Sequence, residues 1–318
     1  MADTYHVPIM PDEVMRLIKP ERGGIFVDGT LGGGGHSERM LELLPKDSML
    51  YGIDRDDDAL ASAGARLAKY PNFVPIKGNF FDMSALLHAR GVNGVDGILL
   101  DLGVSSHQLD DGERGFSYGQ DATLDMRMDR TQTFSALDVV NGYSYKQLYD
   151  VIHNYGEERF SSRIANAIIS AREKHPITGT TELSEIIKGA IPAPARRGGP
   201  HPAKRTFQAI RIEVNGELKG LEDAIRSAID LLNPNGIIAI LSFHSLEARI
   251  VKTTLRSLAF PCICPKDIPV CVCGREPIVK LITGKPITAG EAELTANPRS
   301  RSAELRAALK LITTGGKP

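Results

Sequence analysis

The stretch that most constrains this chain is Gly24-Ile25-Phe26-Val27-Asp28-Gly29-Thr30-Leu31-Gly32-Gly33-Gly34-Gly35-His36. A short apolar run ends on an acid, a glycine-rich turn follows, and a helical pattern of Met40, Leu41, Leu43 and Leu44 begins at His36. Glycine-rich turns between strand and helix let the backbone turn tightly and approach a ligand, and the helix start offers free amides. The same rhythm repeats downstream. Ser48 to Asp54 reads as a second strand, Asp56 to Tyr70 as a helix, Phe73 to Lys77 as a third strand and Val95 to Asp101 as a fourth. With an amphipathic helix over Met10 to Lys19 in front, this alternation predicts an α/β Rossmann-like fold with a parallel, doubly wound sheet.

After Asp101 the rhythm changes. Residues from about 108 to 205 show polar turns and helical patterns (Tyr145 to Tyr155, Phe160 to His175) and close on a Pro/Gly/Arg-rich segment, Ile191 to Pro202. The α/β pattern resumes with a helix from about Arg205 to Leu232 and an apolar strand, Gly236 to Ser242. The expectation is therefore a core in two parts, 1–107 and 206–318, with an all-helical domain inserted at 108–205. In the tail, Pro277 to Thr283 and Pro286 to Thr288 suggest a hairpin through Gly284-Lys285. Ser302 to Ile312 is helical by propensity, with a final strand as the alternative.

Composition excludes several classes. With 38 basic against 39 acidic residues, the chain is not a wholly basic nucleic-acid binder. No apolar run approaches the roughly 18 residues of a membrane span, and the first residues lack a basic-then-apolar signal pattern, so a cytoplasmic protein is expected. One local patch stands out: Ile186 to Ile212 holds Lys188, Arg196, Arg197, Lys204, Arg205 and Arg211 and no acid. Either a solvated loop or a phosphate-facing surface fits that stretch.

The glycine loop discriminates between ligands. Counted from Gly32 or Gly33, the sixth position of a G-x-G-x-x-G fingerprint is Ser37 or Glu38, so the dinucleotide pattern fails. No lysine follows the glycines, so the phosphate-loop pattern fails as well. Asp28-x-Thr30-x-Gly32-x-Gly34 instead resembles the first motif of Rossmann-like methyltransferases that use S-adenosylmethionine (SAM), with Thr30 where glycine is commonest. An acid beside the loop suits the cationic SAM better than a diphosphate. Asp54, closing the second strand, is placed to accept from the hydroxyls of an adenosine ribose.

Several blocks make the resemblance specific: Val27 to Ser37, Leu100-Asp101-Leu102-Gly103-Val104-Ser105-Ser106-His107-Gln108-Leu109-Asp110, His201 to Asn215, Ser242-Phe243-His244-Ser245-Leu246-Glu247, and Asn297 to Ala303. In this order, from His6 to about Arg306, they resemble the ribosomal RNA small-subunit methyltransferase H family. That resemblance implies a class I methyltransferase fold with an inserted helical domain. It also implies N4-methylation of a cytidine in the decoding region of 16S rRNA, within the small ribosomal subunit. Carried over by motif, SAM contacts Gly34, Gly35, His36, Asp54, Phe80, Asp101 and Gln108.

The acceptor nitrogen of cytosine is a poor nucleophile, so the protein's task is alignment and removal of a proton. Asp101 and His244, then Asn215, are the candidate catalytic residues, and no definite general base is assigned. The Asp/Asn/Ser-Pro-Pro-aromatic block of DNA amino methyltransferases is absent at Asp101-Leu102-Gly103-Val104. Arg196, Arg197, Lys204 and Arg205 are candidate RNA contacts. Cys262, Cys264, Cys271 and Cys273 could surround one Zn²⁺ or stay reduced thiols in a loop; no metal is assigned. Rival readings are a nicotinamide dehydrogenase, a methyltransferase of DNA or protein, and a non-enzymatic ribosome assembly factor. Oligomeric state stays open.

Overall fold

The computed structural model describes residues 8–312 apart from 198, 200 and 266–269, and only the backbone at 106 and 107. His6, the side chain of His107 and part of the Pro/Gly/Arg-rich segment lie outside the described residues. The chain divides into two compact units, one of Met1–Gly103 with Gly220–Pro318 and the other of Val104–Lys219.

The first unit is built on a seven-stranded sheet of order β3-β2-β1-β4-β5-β7-β6. Its strands are β1 (Ile25–Asp28), β2 (Met49–Asp54), β3 (Phe73–Lys77), β4 (Val95–Asp101), β5 (Leu232–Ser242), β6 (Val279–Leu281) and β7 (Glu304–Lys310). Pairings among β1 to β5 are parallel, whereas β7 runs antiparallel to both its neighbours. Val95, Ile98, Leu99 and Leu100 of β4 are buried, as expected of a strand covered on both faces. Helices Pro11–Ile18 and Gly35–Leu43 contribute Val14, Ile18, Met40 and Leu41 to a core shared with Phe26, Leu50, Leu99, Leu241 and Leu305. The strand order reverses between β1 and β4, so their carboxyl ends border the crevice where open α/β sheets bind ligands.

The second unit is helical. Helices Ala136–Gly142, Tyr145–Gly156, Ser161–Arg172, Thr180–Ala190 and Lys204–Asn215 enclose a core that includes Val139, Leu148, Ile152, Ile164, Leu183, Phe207 and Ile210.

Three expectations need correction, and one that was left open is decided. The expected helix from Arg205 to Leu232 is two helices, Lys204–Asn215 and Leu221–Leu231. Gly216 (φ 60°) and Gly220 (φ 85°) take left-handed conformations that end one and precede the other. Lys204–Asn215 packs against Tyr145–Gly156, so the boundary falls after Lys219 rather than at 205, and the front boundary falls at Gly103. In the tail, where helix and final strand were the alternatives, the segment is the strand β7, bonded on both sides, with Leu305, Ala307 and Ala308 buried. Finally, no hairpin joins Pro277–Thr283 to Pro286–Thr288: β6 pairs with β7, and Ile287 bridges to Leu305.

Because Leu305 is fully buried in a strand that pairs on both sides, Leu305→Ala should cost about 2–5 kcal/mol in urea unfolding. Arg301→Ala, on an exposed turn just before β7, should change stability by less than about 0.5 kcal/mol.

Candidate active site

The loop after β1 is fixed by its own backbone. The Gly29 amide donates to the Leu99 carbonyl and the Leu31 amide to the Ile53 carbonyl, each at 2.9 Å. Gly34 caps the helix Gly35–Leu43 at φ 77°, and a Cβ there would stand 3.2 Å from both Ala63 and Leu67. Both conformation and space therefore demand glycine. Thr30, the departure from the commonest motif, has its own task. Its Oγ1 accepts from the Asp101 amide at 2.6 Å, tying the loop to the end of β4.

Three carboxylates stand at neighbouring strand ends. Asp28 closes β1, buried, accepting from Ser37 Oγ at 2.8 Å and from the Thr30 amide at 3.2 Å. Asp54 closes β2 and accepts from the amides of Gly32 (2.8 Å) and Asp56 (2.9 Å). Asp101 closes β4; its Oδ2 lies 3.5 Å from His36 Nδ1, while its buried Oδ1 has no hydrogen-bond partner. Loss of solvent raises all three pKa values. Asp28 reaches about 6, with Asp54 adding to the rise, and Asp54 is raised despite its backbone donors. Asp101 lies well above the usual carboxylate range, because burial is reinforced by the charges of Asp28 and Glu247.

His36 is buried, and its Nε2 donates to the Ile9 carbonyl at 2.9 Å. In the neutral ring this leaves Nδ1 as an acceptor directed at Asp101. The ring therefore also stands between the segment before the first helix and Asp101. Phe80 follows β3 on a 3₁₀ turn, half-buried, edge-on to Phe81, and close enough to crowd any side chain at Gly29.

Of the catalytic candidates, His244 caps the helix Ser245–Ala259, its Nδ1 accepting from the Glu247 amide at 3.4 Å. Its Nε2 stands 3.1 Å from Glu247 Oε1, at ion-pair range without hydrogen-bond geometry. Glu247 Oε2 in turn accepts from the Phe243 amide at 2.9 Å. Asn215 belongs to the second unit. Its Oδ1 accepts from the Met128 amide (2.8 Å), and its Nδ2 donates to the carbonyls of Met126 (2.7 Å) and Arg211 (2.9 Å). Those bonds hold a turn in which Met126 has φ 59°, which gives Asn215 a structural role. Gln108 also lies in the second unit, its Oε1 accepting from the Ser105 amide at 3.1 Å.

The basic patch is less uniform than its sequence. Arg196 donates to the Ile191 carbonyl, Arg205 to the Glu157 carbonyl, and Arg211 pairs with Glu217 through two bonds. Arg197 and Lys204 are exposed. Sequence reasoning missed Thr30, Ser37 and Glu247 as members of the site. All three lie inside the motifs, but their partners, Asp101, Asp28 and Phe243, were not legible from spacing.

Residues 3–311 match the MraW methylase family. The chain is 51% identical to the ribosomal RNA small subunit methyltransferase H of Geobacter sp. (strain M21), over 98% of this chain and all of that one. The protein of the same name in Symbiobacterium thermophilum is 50% identical over 96% of this chain and 97% of its own. This chain belongs to the MraW methylase family. It is a methyltransferase, and SAM is its cofactor.

The residues of this methylase fit SAM. Asp28, Asp54 and Asp101 are three carboxyls whose ionisation is disfavoured by burial and by one another, and a sulfonium and an ammonium beside them would favour their charged forms. Asp54 keeps further lone pairs for ribose hydroxyls after its two backbone bonds, and Asp101 Oδ1 awaits a donor. The left-handed glycines let backbone approach the ligand.

A cation beside these acids lowers their pKa values, so SAM binding should release protons between about pH 4 and 7 and weaken as pH falls through 6. Calorimetry in buffers of different ionisation enthalpy reads that release directly. In the free methylase the sign is opposite. Asp28 favours its neutral form, so its contribution to stability is full below 3.8 and declines as pH rises through 6. Asp54→Asn turns one side-chain donor towards a backbone donor and should weaken SAM at least about tenfold. Asn215→Ala should instead cost about 2–4 kcal/mol of stability by thermal unfolding, by orphaning buried backbone groups.

Proposed function

We propose that this methylase transfers a methyl group to the exocyclic N4 of a single cytidine in the decoding region of 16S rRNA. We take the assembled small subunit as substrate and the cytoplasm as the place of reaction. Among the described residues no helix is long and apolar enough to cross a membrane. The observation that carries the chemistry is Asp101: a buried carboxyl at the crevice with one unpartnered oxygen and a strongly raised pKa. The names of the relatives support the choice of acceptor RNA.

SAM supplies a methyl group on a positively charged sulfur, a leaving group that needs no acid. The protein's own residues do the rest. The amino lone pair of cytosine is delocalised into the ring, so an acceptor on an N4 hydrogen localises it and later takes the proton. Asp101 Oδ1 is that acceptor. A raised pKa makes its carboxylate a stronger base than an ordinary aspartate, and once Asp101 has taken the proton the His36 Nδ1 acceptor, 3.5 Å from Oδ2, can share it. Thr30 fixes the backbone of Asp101, so the carboxyl does not drift. Alignment of this kind is worth about 7–11 kcal/mol in favourable cases.

The target base must leave its stack to reach a buried carboxyl. Arg197 and Lys204, exposed on the second unit, are suited to hold flanking phosphates, with Arg205 beside them. The ring ladder Tyr145, Tyr149 and His153 on one helix is a further surface on which a base can stack.

The deciding assay incubates the methylase with radiolabelled SAM and small subunits from cells lacking it, followed by nucleoside analysis. N4-methylcytidine at one position is expected. Label on naked 16S rRNA alone would move the substrate from subunit to free RNA, and label on protein would sink the reading. Asp101→Asn should lower kcat by about 10²–10⁴ at saturating SAM.

A further inference from the structure

The described residues between helix Ser245–Ala259 and β6 have no regular structure, and none of them is buried. They also expose four large apolar side chains, Phe260, Ile263, Val270 and Val272, at 63–76%. A stretch of that length without a core is ordinarily unable to hold one conformation. Here it converges on a single point. Cys271 Sγ lies 3.5 Å from Cys262 Sγ, 3.8 Å from Cys264 Sγ and 3.5 Å from Cys273 Sγ. All four sulfurs fall within 4.8 Å of one another.

Those separations have a chemical meaning. Four thiolates about 2.3 Å from a central Zn²⁺ stand at the corners of a tetrahedron with edges of about 3.8 Å. Disulfides would instead draw sulfurs into pairs about 2.05 Å apart and separate the pairs. No disulfide joins the four cysteines, and Cys271 is near three partners at once, where a disulfide allows one. The Val272 amide donates to Cys264 Sγ at 3.4 Å, the backbone-to-sulfur bond that spreads charge off a metal thiolate. Gly274, at φ 64°, permits the turn directly after Cys273.

We propose that Cys262, Cys264, Cys271 and Cys273 bind one Zn²⁺ as a closed tetrathiolate site that takes the place of a core for this loop. Each thiol gives up its proton on binding, and no electron moves. Four protein ligands leave no open position, so the site is structural and makes no contact with methyl transfer. The two-residue spacing within each cysteine pair is shorter than the commonest zinc pattern. The two pairs come together all the same, with Cys271 Sγ within 3.8 Å of both Cys262 and Cys264.

The test uses the full-length chain without a histidine tag, purified without chelator from zinc-replete cells, with metal content measured by mass spectrometry. About one zinc per chain is expected. Titration of the native protein with a mercurial should release it after about four equivalents, read by a colorimetric zinc indicator. Cys264→Ser/Cys271→Ser should lose the metal, and the mercurial-treated wild type should become open to limited proteolysis within 260–278. Less than about a fifth of a zinc per chain, with no uptake by the reduced protein from zinc sulfate, would overturn the proposal. So would iron in place of zinc, or alkylation mass shifts showing the four cysteines paired as disulfides. The mercurial titration keeps the proposal testable if the double variant does not fold.

Discussion

Asp28, Asp54 and Asp101 are held out of bulk water at the ends of adjacent parallel strands, and much of the surrounding structure answers that arrangement. Burying a carboxylate is costly unless donors or an opposite charge replace its water. Asp28 and Asp54 are served by amides and a hydroxyl of the loops they help fold, so ligand pocket and loop conformation are one structure. Asp101 is only half served, since one oxygen faces His36 and the other faces no donor. That asymmetry separates a carboxyl that shapes the pocket from one available to a substrate.

The second unit is stabilised differently. Its core is aliphatic and helical, and its buried polar contacts close turns: Asn215 serves Met126 and Met128, and Asn141 serves the Ile177 amide and carbonyl. Several arginines of the acid-free stretch are occupied by carbonyls and by Glu217, which narrows the candidate RNA contacts to a few exposed cations. The described residues of the cysteine loop have neither device, and four sulfurs within 4.8 Å of one another mark it as the place of the proposed metal site.

Motifs whose function depends on neighbours in sequence were the legible ones. The loop Asp28 to His36, the acid closing β2 and the acid closing β4 each sit at a strand end, and strand ends follow from apolar periodicity. Val95–Asp101 falls where the pattern places it because a buried parallel strand is a nearly continuous apolar run, while Phe73–Lys77 is an edge strand in which only Ile76 is buried. The backbone partners of Asn215 were not legible, because its place in a motif says nothing of what its amide faces. The long helix from Arg205 was misjudged because Gly216 and Gly220 break it only through left-handed conformations, which composition does not reveal.

By itself the sequence determined the βαβ core, the glycine turn that excludes a dinucleotide, and the carboxylates at the strand ends. These are local properties, set by side-chain period and by what a backbone without Cβ can do. Only the tertiary structure decided that Glu304–Lys310 is a strand, since pairing to both β5 and β6 outweighs the helix preference of Ala, Leu, Lys and Arg. It alone decided that Thr30 holds Asp101, that His36 faces Asp101, and that four cysteines meet at one point. Such contacts depend on distances between chain segments far apart in sequence, which the packing of the core sets and no local pattern encodes.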